Sequence, residues 1–150
     1  MPSRSHWDLT PRQSIEQECR RRGTAQVIAG CVTLLGGGAC DDRFAHALGG
    51  PAADAVLGPH PHRDQRYFLR VWAARTLLYA WDEAVPGLRD AVGTALADQS
   101  WRVREMAAKV VARRELGECL TVVAGLQHDP VPRVRAAAAR ATAKLTTTRA

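Results

Sequence analysis

Apolar positions recur with the period of a helix along most of the chain. Val27, Cys31, Leu34 and Leu35 stand at i, i+4, i+7 and i+8, which is one helical face. The triple glycine 36–38 stops that helix. Upstream, Thr10 followed by Pro11 is a helix-start signal, a capping hydroxyl before a proline at the first helical position. The polar helix it opens runs to about Arg22, with Ile15 and Cys19 four apart, and Gly23 breaks it. Asp41 opens a further helical stretch carrying Phe44, Leu48, Val56 and Leu57, interrupted around Gly49-Gly50-Pro51. Gly58-Pro59-His60-Pro61-His62 reads as a loop. Leu88, Val92 and Leu96 mark another apolar helix, and Leu120, Val123 and Leu126 mark the next. In the last helix Val134, Ala137, Ala138, Ala141 and Leu145 keep one face apolar, so it is expected to cover the element before it. This divides the chain into an irregular lead-in (1–10), one helical domain (11–145) and a polar tail (146–150).

From residue 64 onward the pattern repeats. Asp64 to Ala74 can be laid over Asp98 to Ala108, and that segment over Asp129 to Ala139, at offsets of 34 and 31 residues. In each copy Leu or Val follows the Asp by five positions and Arg follows by six: Leu69-Arg70, Val103-Arg104 and Val134-Arg135. Self-similarity at a fixed period is the mark of a solenoid, whose neighbouring units bury one another's faces.

These units resemble the short HEAT-like (PBS-lyase-type) repeats. In that family each repeat is a helical hairpin whose turn carries an Asp paired with a Val-Arg dipeptide in the second helix. The likeness rests on Asp64, Asp98 and Asp129 with Arg70, Arg104 and Arg135. It implies an all-α fold, a right-handed α-solenoid of about four hairpins whose second helices line an inner face. These six residues are expected to form a structural ladder, each Asp at the turn capping the second helix and the Asp and Arg side chains bridging adjacent repeats.

On that inner face the repeat offsets align Arg75, Lys109 and Arg140 as a basic row. Arg102, Arg113, Arg133 and Lys144 flank it, and Phe68 and Tyr79 replace the flanking cations in the first copy. Trp101 lies beside them and forms an i, i+4 pair with Glu105, itself four residues before Lys109 as a surface ion-pair partner. The expected partner-binding set is therefore Arg75, Lys109, Arg140, Arg102, Arg113, Arg133, Lys144, Tyr79 and Trp101. The expected function is non-enzymatic: a scaffold that binds a macromolecular partner, a protein, on this face. The alternative is nucleic-acid binding, with a thin likeness in Trp101 and Glu105 to the HEAT-like glycosylases that excise alkylated DNA bases.

Composition supports helices: 26 of the 150 residues are Ala, and Ile occurs twice. The net charge of +6 is uneven. Residues 98–150 carry ten basic and five acidic side chains, whereas 41–97 carry six and seven. Such an excess in the C-terminal copies points to an anionic partner.

Other chemistry is poorly represented. Cys19, Cys31, Cys40 and Cys119 form no C-x-x-C pair and read as core thiols, with a Cys19–Cys31 disulfide open only to an exported chain. The uncharged run from Gly23 to Cys40 is too weakly apolar for a leader or a span, so a cytoplasmic protein without membrane contact is expected. His60 and His62, with Asp64 and nearby His46 or Cys40, are the one metal-like grouping, but their spacing fits no zinc module. Neither metal nor cofactor is expected. Nucleophile elbows, phosphate loops and dinucleotide fingerprints do not occur.

Overall fold

The computed structural model describes residues 9–59 and 65–148. Every regular element among them is helical. Helix α1 (Pro11–Arg22) starts on a capping box: Thr10 Oγ1 accepts the Gln13 N–H, and Gln13 Oε1 accepts the Thr10 N–H. Arg20, Arg21 and Arg22 fill its last turn, where cations complement the helix dipole. Helix α2 (Thr24–Leu35) buries Val27, Ile28, Cys31, Leu34 and Leu35. Helix α3 (Asp42–Gly49) is capped by Asp41, whose Oδ1 accepts the Phe44 N–H at 2.7 Å. A 3-10 turn (Gly50–Ala52) leads into the short α4 (Ala53–Leu57). Then follow α5 (Tyr67–Tyr79), α6 (Leu88–Ala95), α7 (Trp101–Arg114), α8 (Leu120–Gly125) and α9 (Pro132–Thr148).

Helix α2 packs on α5, α5 on α7 and α7 on α9, while α6 packs on α2 and α7, and α8 on α9. One continuous core runs from Ile15 to Leu145 through these contacts. Gly49 allows a close approach within it, since a Cβ there would overlap the Trp72 ring. The apolar stripe of α9 is buried as its spacing predicts: Val134, Ala137, Ala138, Ala141 and Leu145.

Helix α9 runs on to Thr148, and Thr142, Thr146 and Thr147 donate their hydroxyls back to carbonyls of the preceding turn. Cys19 and Cys31 are free thiols, as are Cys40 and Cys119, and burial raises the Cys31 thiol to about 12. No helix among the described residues is long and apolar enough to cross a membrane.

Candidate functional site

The repeated Asp and Arg residues build a chain of ion pairs between successive helices. Arg70 donates to both carboxylate oxygens of Asp98, Nε at 2.7 Å and Nη2 at 3.2 Å. One repeat later Arg104 does the same to Asp129, at 2.8 and 3.3 Å. Arg104 also reaches back with Nη1 to the carbonyls of Asp98 and Gln99 in its own turn, at 2.8 and 3.0 Å. Arg135 repeats that backward reach onto Asp129 and Pro130, at 2.8 and 3.1 Å. The aspartates do not cap the helices directly. Asp98 Oδ1 accepts the N–H of Ser100 and Asp129 Oδ1 that of Val131, so each fixes the turn just before its helix begins. Burial pushes the Asp129 carboxyl up, but hydrogen bonds from Arg104 and the Val131 N–H outweigh it and hold it below its usual range. Asp64, with His60 and His62, lies outside the described residues.

Next to this chain, cations and aromatic rings alternate over the starts of α5, α7 and α9. The Tyr67 and Phe68 rings stack with centroids 4.6 Å apart. The Arg102 guanidinium lies 5.7 Å from the Phe68 centroid and 4.4 Å from that of Trp101. Arg133 covers Trp101 from α9 at 5.8 Å. Phe68, Arg102 and Arg133 are counterparts at the 34- and 31-residue offsets, and the packing of α5, α7 and α9 brings them together. Guanidinium groups over aromatic faces keep much of their edge free for anions. Both Arg102 and Arg133 are exposed.

Beneath the strip lies Glu105. It was expected at the surface, yet it is 6% exposed, because α9 covers this side of α7. Glu105 Oε1 meets Lys109 Nζ at 3.2 Å and Arg133 Nε at 3.1 Å. The pair with Lys109 was legible from the i, i+4 spacing, whereas the contact across to Arg133 was not.

The structure therefore joins Trp101, Arg102, Lys109 and Arg133 into one strip. Arg113, Arg140 and Lys144 are exposed on α7 and α9. Arg75 stands apart from them. Its Nη2 donates to the Leu48 carbonyl at 2.5 Å, at the C-terminal end of α3, and its Nε is buried without a hydrogen-bond partner. Burial holds this guanidinium below its ordinary value. The first copy has Val71 where the second has Glu105, so no carboxylate draws Arg75 outward. Tyr79 lies under Arg12, 5.3 Å from ring centroid to guanidinium. Sequence spacing missed Arg12, because α1 carries no recognisable copy of the repeat.

His46 is held between the Asp42 carbonyl (Nδ1, 2.7 Å) and Asp54 Oδ1 (Nε2, 2.6 Å). The Asp54 hydrogen bond, and then the carbonyl, push its pKa up. Cys40 is half-buried, and no group of three or more His, Cys, Asp or Glu among the described residues is arranged to hold a metal. No protein-family model matches the chain, and neither curated proteins nor solved structures yield a significant match.

Proposed function

We propose that the chain is a right-handed HEAT-like α-solenoid of about four hairpins, a cytoplasmic, non-enzymatic scaffold. It binds an acidic protein segment on the basic inner face of its second helices. The observation that carries this reading is the strip Phe68–Arg102–Trp101–Arg133, which spans α5, α7 and α9 and presents two exposed guanidinium groups beside aromatic surface. Arg and Trp are the residue types that dominate binding energy at protein interfaces, and Arg takes carboxylates in two-point contacts. Arg113, Arg140 and Lys144 extend the positive field away from the strip, suited to steering an acidic segment toward it.

Nucleic-acid binding is the second reading, favoured by the same interleaving of rings and cations, since bases also stack on aromatic side chains. Base excision is less well supported. The Glu105 carboxylate beside Trp101 is already matched by Lys109 and Arg133, so it lacks the free negative charge that such chemistry needs.

The test compares Arg102→Glu/Arg140→Glu with a control pair, Arg20→Glu/Arg43→Glu, which changes net charge equally. The probes are labelled poly-glutamate and a short DNA duplex. Poly-glutamate affinity should fall roughly ten-fold for the first pair, from two lost contacts and added repulsion, and less than two-fold for the control. Equal losses reduce the strip to generic net charge. Tighter binding to the duplex, with a log–log salt slope that shrinks by about 0.9 per lost phosphate contact, replaces the protein reading with the nucleic-acid one.

A further inference from the structure

We propose that the outward side of α9 is a docking surface for a helical hairpin of a partner protein that carries an aspartate in its turn. Arg70 and Arg104 each place Nε and Nη2 on the carboxylate of the next repeat. Arg135 is their counterpart at the same offsets. It is anchored like Arg104, with Nη1 on its own turn's carbonyls, and its Nε–Nη2 edge has no carboxylate. The fork is thus already oriented for an acid that the described residues do not supply. A guanidinium fixed in this way gives up little rotamer freedom when the acid arrives.

The surface around it has the character of a contact between repeats. One helical turn beyond each Arg, on the same side of the helix, stands an alanine: Ala74, Ala108 and Ala139. Ala74 and Ala108 are 1% and 0% exposed, beneath the helix that follows, whereas Ala139 is exposed. Ala136 and Ala143 continue this open side, and small residues there let a second helix approach closely. Val122, the exposed large hydrophobic among the described residues at 48%, belongs to the same last hairpin. Charge selects the occupant. A second copy docked α9 to α9 would bring Arg135 and Arg140 against their own images, whereas an Asp-bearing turn continues the ion-pair chain. The strip's residue on α9, Arg133, lies on a different side of the helix from Arg135 and Ala139, so this surface does not depend on the strip being a binding site.

The test supplies that hairpin within the chain. A second copy of residues 115–145 inserted after Leu145 keeps the 31-residue spacing and sets a duplicated Asp129 opposite Arg135. The extended chain should melt in a single transition, raised by several degrees, with the insert protected from protease. Arg135→Gln and Asn at the duplicated aspartate should be non-additive there. Ala139→Arg should leave the parent's melt within about a degree, because the site is exposed, yet expose the insert to protease. An insert that melts separately, or additive effects at Arg135 and the duplicated aspartate, overturns the proposal. So does a parent chain that dimerises and loses the dimer on Ala139→Arg, which makes the occupant a second copy.

Discussion

Removing the Asp129 carboxylate tests the inter-helix ion pairs most directly. The side chain is 5% exposed and its partner Arg104 15%, so solvent screens the pair weakly. Asp129 receives two guanidinium N–H groups and the Val131 N–H. Breaking one side of a buried pair costs about 3–5 kcal/mol. The lower end applies, because Arg104 keeps the Asp98 and Gln99 carbonyls when the acid is gone. Asp129→Ala should therefore cost about 3 kcal/mol, a fall in Tm of roughly 6–12 °C at 2–4 °C per kcal/mol. Asp129→Asn still accepts the Val131 N–H and should cost about half as much. Thermal and urea melts followed by circular dichroism measure both. A cycle with Arg104→Ala should show coupling above about 1 kcal/mol, as contacting charges do. The pH dependence gives a second readout. The folded pKa is depressed, so this stability is present above the unfolded value of about 3.9 and lost as pH falls through the lower folded one. Asp129→Asn should flatten that acid limb. A loss below about 1 kcal/mol with additive single variants would refute the view that these pairs hold successive helices together.

Gly49→Ala should lower stability by about 1–3 kcal/mol, because its Cβ meets the Trp72 ring in a packed core; a neutral melt would show that Trp72 can move aside. His46 has a raised pKa in the fold, so its contribution is fully present below about 6.5 and lost as pH rises through the higher folded value. Urea midpoints across that window should decline in the parent and stay flatter in Asp54→Asn. An identical decline in both would remove the His46–Asp54 contact as its cause.

Local patterning by itself determined the helices and their buried faces. Thr10-Pro11 and Gly23 bound α1, the triple glycine ends α2, and the 3.6-residue spacing of Val134 to Leu145 selects the buried side of α9, because caps, breakers and amphipathic period act within a few residues. The repeat offsets also placed Phe68, Arg102 and Arg133 at equivalent positions. Whether equivalent positions share an environment was a tertiary matter. Lys109 and Arg75 share an offset, yet one is held by Glu105 while the other turns into the end of α3. Glu105 reads as an ordinary surface acid until α9 packs over it and Arg133 closes on it. Arg135 carries the same local signature as Arg104, yet among the described residues no carboxylate meets its Nε–Nη2 edge. Burial and ion pairing depend on which helix arrives from a distant part of the chain, and periodicity within one helix carries no record of that neighbour.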